Sequence, residues 1–119
     1  MNILRLPKEA LQITDQAGSQ PGQRVLILNG PLVLTTMFKF QATVRADQSQ
    51  TLVIDFANVP YADSAGIGAL VGAYVTRQHT ARRLALAGNR VRDALKVTRV
   101  EQFFNFFDSV SAAEQGPVA

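Results

Sequence analysis

The sequence predicts an α/β domain in which a mixed β-sheet packs against about four helices. Two short apolar runs in the second half, TLVIDF at 51–56 and RLALAG at 83–88, have the continuous hydrophobic character of strands buried on both faces. Each run is followed by a segment with helical spacing, the order typical of βαβ units and parallel pairing. The first half instead places two strands in succession, which predicts an N-terminal hairpin.

The predicted hairpin strands are ALQIT at 10–14 and RVLILNG at 24–30. The segment between them contains two glycines and a proline, which are typical of turns. After the second strand, Thr35 or Thr36 can cap a helix that runs to about Arg45. The apolar residues of this helix recur at helical spacing: Met37, Phe40 and Val44.

The second half continues with three helices and one more strand. A loop, ANVPYAD, follows the first apolar run, and a helix is predicted from about Ser64 to Gln78. One-sided apolar spacing over 91–98 predicts the next helix. The segment FFNFFD is the last predicted strand, and Asp108 or Ser109 can begin a short final helix.

The composition fits one globular domain. Of the 119 residues, 47% are hydrophobic and 18% charged, a balance typical of a chain that folds around its own core. The absence of cysteine excludes disulfides and thiolate metal sites, and a single histidine, His79, argues against a zinc site. No apolar run reaches the roughly 18 residues that span a membrane, and we find no secretory signal. We therefore expect a soluble cytoplasmic protein with one domain, residues 1–119, and no metal or cofactor.

Basic residues cluster in one part of the chain, where only one acid, Asp93, interrupts them. Such a cluster can steer an acidic partner or nucleic acid. Because no nucleic-acid-binding motif accompanies it, we interpret it as a solvated face and expect no direct nucleic acid binding. The cluster holds seven of the 12 basic residues: Arg77, Arg82, Arg83, Arg90, Arg92, Lys96 and Arg99.

The stretch PYADSAGIGALVGAY at 60–74 does not match the enzyme motifs that it resembles at first sight. A Walker-type loop needs a lysine, and none occurs between Lys39 and Lys96. A dinucleotide fingerprint needs a different glycine spacing in the turn before a helix. A nucleophile elbow needs a glycine at position 62 and a nearby base, whereas His79 lies at the far end of the same predicted helix. We therefore expect a protein that is not an enzyme.

What remains is a serine at the start of a helix. The commonest reason for Asp63 or Ser64 here is a structural N-cap. The functional alternative is that Ser64 is exposed for phosphorylation, since free N–H groups and the helix dipole tolerate a phosphate there.

The small residues of this helix favour a surface for a partner. Ile67, Leu70, Val71 and Tyr74 cluster on one side, and the opposite side lacks the charged residues of an ordinary exposed face. Glycines inside a helix cost roughly 1 kcal/mol each, so a packing or docking reason is expected. The alternative is a helix buried on both sides by its own domain. The predicted partner-binding residues are Ala65, Gly68, Ala69, Gly72, Ala73 and Thr76.

The order of these motifs resembles the STAS domain in its form as a single-domain bacterial anti-sigma factor antagonist. The similarity covers about 11–113 and is carried by the buried strand TLVIDF, the motif DSAGIG opening a helix, the strand RLALAG and the closing segment FDSVSAA. The resemblance implies that unphosphorylated protein binds an anti-sigma serine kinase and so releases a sigma factor. It further implies that the kinase phosphorylates Ser64, with support from Asp63 and Gly66, and that a Mg/Mn-dependent serine phosphatase restores the serine.

Two positions depart from the family pattern. Ala65 stands where a second hydroxyl residue is common, and Val33 stands where an acidic residue often follows the second strand. The second departure affects the expected partner more than the fold. A different member of the same family remains the alternative: a STAS subunit of a stressosome, or of a lipid-transporting ABC system, in which Ser64 serves docking without phosphorylation.

Overall fold

The computed structural model describes residues 10–80 and 82–116, and it confirms the predicted mixed sheet and the four helices. The strands are β1 Gln12–Ala17, β2 Gln23–Asn29, β3 Thr51–Asn58, β4 Arg83–Ala87 and β5 Asn105–Phe107. The helices are α1 Met37–Ala46, α2 Ser64–His79, α3 Arg92–Val97 and α4 Val110–Glu114, and a 3-10 turn, Glu101–Phe103, precedes β5.

The five strands lie in the sheet in the order in which they occur in the chain. β1 and β2 form the expected antiparallel hairpin, and β2, β3, β4 and β5 pair in parallel. In the central register, Leu26 lies beside Ile54 and Ile54 beside Leu86. Helices connect each parallel pair because a parallel crossover must return the chain to the opposite end of the sheet.

The alternation of side chains along the strands divides the core into two layers. Leu52 and Ile54 face a large cluster that includes side chains from α1, α2 and α3. Val53 faces the other side of the sheet, where a smaller cluster includes Ala85 and Ala113 of α4. The functional consequence is that α1 and α2 share one face of the sheet, and they contact each other there.

Backbone hydrogen bonds join the loops that follow β2 and β3. Leu32 forms an isolated parallel bridge with Ala62, in which the Leu32 N–H donates to the Tyr61 carbonyl at 3.1 Å. The Asp63 N–H donates in turn to the Leu32 carbonyl at 3.2 Å. The sheet pairing is thereby extended past the strand ends, and it places the start of α2 against the β2–α1 loop.

Within the described residues, the model contains no helix that is both long enough and apolar enough to cross a membrane.

Candidate functional site

Ser64 is exposed and is the first residue of α2. The residue before it, Asp63, is the N-cap: its backbone is extended, and its carboxylate Oδ1 accepts the Gly66 N–H at 2.8 Å. This bond satisfies one of the donors that the first turn of any helix leaves free. Because Asp63 is the cap, the Ser64 hydroxyl is left available at the surface.

The second oxygen of the Asp63 carboxylate binds the neighbouring loop. Oδ2 accepts the Leu34 N–H at 3.1 Å. The hydrogen bond from Gly66, followed by the weaker contribution from Leu34, lowers the pKa of Asp63 below its ordinary value although partial desolvation opposes the shift. A permanent negative charge therefore lies beside Ser64 at neutral pH.

Gly66 is required by a close backbone approach. A Cβ atom at this position would lie 2.0 Å from the carbonyl oxygen of Leu32, far inside any allowed contact. Since that carbonyl already accepts the Asp63 N–H, it cannot move without breaking the link between the two loops. Gly66 thus has a structural role in holding the first turn of α2 in place.

At Gly68 and Gly72, in contrast, no close contact within the protein requires glycine. A Cβ atom at either position would meet nothing within 4 Å, and both residues are exposed. Each costs the helix roughly 1 kcal/mol relative to alanine. The fold therefore does not account for these two glycines, whereas close approach of another molecule would.

The exposed face of α2 differs from the face that the helical wheel predicted. Ala69 and Ala73, predicted at the partner surface, are only 4% and 7% exposed, and Ala65 is half-buried. The wheel could separate the large apolar residues from the small ones, but α1 packs against the small side and covers the two alanines. The stripe that faces solvent consists of Ser64, Gly68, Gly72, Val75 and Thr76.

Three exposed apolar side chains near Ser64 were not predicted. Leu34, whose N–H binds Asp63, is 57% exposed, Phe38 at the start of α1 is 64% exposed, and Tyr61 is 49% exposed. The helical pattern contained a signal for Phe38, which lies outside the spacing of the buried residues Phe40 and Val44. Large apolar side chains that remain exposed to water favour an interaction surface on this part of the molecule.

Val33, where the family often has an acidic residue, is buried at 5% exposure. Its carbonyl accepts the Met37 N–H at 2.8 Å and so helps to start α1. The β2–α1 loop therefore presents Leu34, rather than a carboxylate, beside Asp63.

The geometry of α2 confirms that His79 cannot act as a general base for Ser64 within this helix. The two residues are the first and last of the 16-residue helix, which at 1.5 Å per residue separates them by about 22 Å. The glycines at 66, 68 and 72 lie within the helix rather than in a loop before it, so they do not form a phosphate-binding turn.

The basic cluster between 77 and 99 does not form one solvated face. Arg77 is only 3% exposed and forms an ion pair with Asp47. The Arg83 guanidinium lies 5.6 Å from the ring centroid of Phe107, on the other side of the sheet. The two cations of α3, Arg92 and Lys96, share the carboxylate of Glu101.

Solved structures with the same fold include proteins of two kinds. An anti-sigma factor antagonist from Mycobacterium paratuberculosis superposes with a TM-score of 0.76 at 18% identity, over 89% of this chain and 92% of that chain. A sulfate transporter family protein from Wolinella succinogenes gives 0.73 at 17% identity, over 81% and 84%. The Bacillus cell fate determinant SpoIIAA, in its phosphorylated form, gives 0.65 at 17% identity, over 89% and 98%.

The search of curated proteins finds no match. The family model of the STAS domain matches residues 15–113, most of the chain, in the order of strands and helices described above. The chain belongs to the STAS domain family.

Proposed function

We propose that the protein is an anti-sigma factor antagonist whose interaction with its partner is switched by phosphorylation of Ser64. The observation that carries the proposal is the combination of an exposed serine at the start of α2 with a helix face whose glycines, Gly68 and Gly72, contact nothing in their own fold. The face lacks charge from Ser64 to Thr76, so a partner surface can approach it closely.

A phosphate on Ser64 would change this surface without changing the fold. It adds about −1.5 to −2 charges and three acceptor oxygens, directly beside the carboxylate of Asp63. The N-terminus of α2 accommodates this charge because its free N–H groups and its dipole favour anions. A partner that had excluded water from the face would instead have to desolvate the phosphate, which weakens the complex.

The family likeness supports the identity of the enzymes that act on the switch. The fold neighbours include an anti-sigma factor antagonist and a protein described in its phosphorylated form. We infer that a serine kinase of the histidine-kinase-like ATPase fold binds and phosphorylates the protein in the cytoplasm, and that a Mg/Mn-dependent phosphatase reverses the modification. The protein itself then acts by binding rather than by catalysis.

The decisive experiment measures phosphorylation and binding with the same variants. Incubation with an anti-sigma serine kinase from the same genome and ATP should add about 80 Da, the mass of one phosphoryl group, to the wild type and nothing to Ser64→Ala. Ser64→Asp should bind that kinase about 100-fold more weakly than Ser64→Ala, a difference of about 2.8 kcal/mol. Ser111→Asp, at an exposed serine of α4 on the other side of the sheet, is the matched control and should bind normally. Equal affinities of the two Ser64 variants for every such kinase would contradict the switch.

A second candidate function is a STAS subunit that docks without phosphorylation. The sulfate transporter family protein from Wolinella succinogenes favours this second function, because it has the same fold and is described as a transporter family protein rather than as an anti-sigma factor antagonist. The stressosome and the lipid-transporting ABC system are further settings for such a subunit. Two observations together would favour this candidate. Ser64 would be unmodified in protein purified from its host under all growth conditions, and the protein would associate stably with such an assembly.

A further inference from the structure

A shallow groove of about 100 Å³ lies between α1 and α2, next to the exposed stripe of α2. Its floor is made of buried side chains from both helices, and its rim contains an exposed glycine and an exposed cation, Gly72 and Arg45. A cavity of about 150 Å³ can hold a benzene molecule, so this groove has room for a smaller group such as one aliphatic side chain. The lining residues are Gln41, Val44, Arg45, Ala69, Gly72, Ala73 and Thr76.

The chemistry of the lining selects an apolar group. Val44, Ala69 and Ala73 present only carbon atoms to the floor. The one hydroxyl of the lining, on Thr76, already donates to the Gly72 carbonyl at 3.0 Å. Apart from the side chains of Gln41 and Arg45, the lining therefore offers no free polar group, so the floor favours an aliphatic side chain over a polar one, which would lose its hydrogen bonds to water.

The charged residues within α1 and α2 are all basic. Neither α1 nor α2 contains an aspartate or a glutamate. Of their cations, Arg77 is buried against Asp47, and Lys39 donates to the Leu11 carbonyl at 3.0 Å. Arg45 thus presents an exposed positive charge at the groove, and a carboxylate from outside the two helices would complement it.

We propose that the groove between α1 and α2 receives one aliphatic side chain of the partner and that Arg45 pairs with a carboxylate next to it. This inference rests on the proposed function. It adds the chemistry of the partner surface, on which acidic residues surround the one aliphatic side chain that enters the groove. It also gives the switch an electrostatic basis. A phosphate on Ser64 lies on the same helix as Gly72 and would repel a surface that carries carboxylates.

The test uses the full chain and the serine kinase that it binds. The probe is that purified kinase, and the readout is its affinity for each variant at low and at high salt. Arg45→Glu should weaken binding at least tenfold at low salt and should reduce the salt dependence seen with the wild type. Arg99→Glu makes the same charge change at an exposed position at the end of α3 and should leave binding within twofold.

A second variant tests the groove without disturbing the core. Gly72→Leu adds a side chain at the edge of the groove, where a Cβ atom meets nothing within 4 Å, so the fold tolerates the added bulk and a partner would meet it. We expect at least a tenfold loss of affinity with an unchanged or higher melting temperature. Affinity within twofold of the wild type for both Arg45→Glu and Gly72→Leu would overturn the inference.

The two proposals fail in different ways. A kinase that binds the wild type and distinguishes Ser64→Ala from Ser64→Asp, but is insensitive to Arg45→Glu and Gly72→Leu, refutes the groove and the contact at Gly72 and leaves phosphorylation of Ser64 as the switch. If no kinase binds and the wild type instead associates with vesicles of anionic lipid or with a second copy of itself, both proposals are wrong.

Discussion

The carboxylate of Asp63 accepts the Leu34 N–H at 3.1 Å, and this bond ties the first turn of α2 to the β2–α1 loop. The same carboxylate accepts the Gly66 N–H at 2.8 Å. One side chain therefore positions the exposed serine that follows it and the exposed leucine of the neighbouring loop. Together with the backbone hydrogen bonds of Leu32, this side chain holds the two segments against each other.

This arrangement predicts a pH dependence at low pH. The folded-state pKa of Asp63 is lowered from its ordinary value of 3.8, chiefly by the Gly66 hydrogen bond. The stabilisation from the carboxylate is therefore complete above that value and is lost as the pH falls through the folded-state pKa. In an NMR titration, the amide signals of Gly66 and Leu34 should shift together with one midpoint below 3.8. Separate midpoints for the two amides would contradict the two hydrogen bonds that the Asp63 carboxylate accepts. So would amide signals of Gly66 and Leu34 that are unchanged in Asp63→Asn relative to the wild type at neutral pH.

The glycines of α2 should separate into two classes on substitution by alanine. Gly66→Ala forces a Cβ atom against the Leu32 carbonyl and should destabilise the protein by about 1–3 kcal/mol or more, the usual cost of overpacking. Gly68→Ala and Gly72→Ala meet nothing and should each stabilise the helix by up to about 1 kcal/mol. Urea denaturation of the three variants measures the difference. Destabilisation by all three would mean that the outer glycines also have an internal role.

Most of the fold could be predicted from the sequence because local and tertiary signals agree. Four of the six residues at 51–56 are apolar, since β3 lies in the middle of the sheet and is covered on both faces. The hairpin, in contrast, was predicted from its turn residues, and β1 extends to Ala17 because pairing with β2 continues beyond the apolar residues. Tertiary pairing determined the end of this strand, and the sequence carried no signal for it.

The site could be predicted only in part. The sequence predicted that Asp63 or Ser64 caps the helix, because a polar cap before a helix has a local signature, and the structure assigns the cap to Asp63. The burial of Ala69 and Ala73 depends on where α1 packs, and a helical wheel of α2 contains no information about another helix. The exposure of Leu34 had no signal in the sequence for the same reason, whereas that of Phe38 could have been predicted because this residue lies outside the helical spacing of Phe40 and Val44.

The buried arginine of α2 should be essential for stability. Arg77 donates to Asp47 at 3.3 Å and to the carbonyls of Ser49 and Arg83 at 2.6 and 3.1 Å. Burial lowers the pKa of Arg77 despite the nearby carboxylate, which indicates that the cost of desolvation is only partly recovered. Arg77→Met would leave Asp47 buried without its cation and should cost about 3–5 kcal/mol.

A second substitution shows where that cost arises. Adding Asp47→Asn to Arg77→Met removes the unpaired charge and should recover part of the loss in chemical denaturation. The carbonyls of Ser49 and Arg83 stay unsatisfied, so recovery is incomplete. If the double variant were less stable than Arg77→Met alone, the unpaired carboxylate would not be the source of the destabilisation.

The exposed apolar residues beside Ser64 should matter for binding and not for folding. Leu34→Ser and Phe38→Ser remove side chains that are 57% and 64% exposed, so the free energy of unfolding should change by less than about 0.5 kcal/mol. The free energy of binding to the partner kinase should weaken by about 2 kcal/mol for at least one of them, because burial of a Leu or Phe side chain contributes about 1.5–3 kcal/mol. Val97→Ser on α3, where the side chain is 82% exposed, is the matched control and should bind as the wild type does. A loss of affinity with Val97→Ser and none with Leu34→Ser or Phe38→Ser would place the partner on a surface other than the one around Ser64.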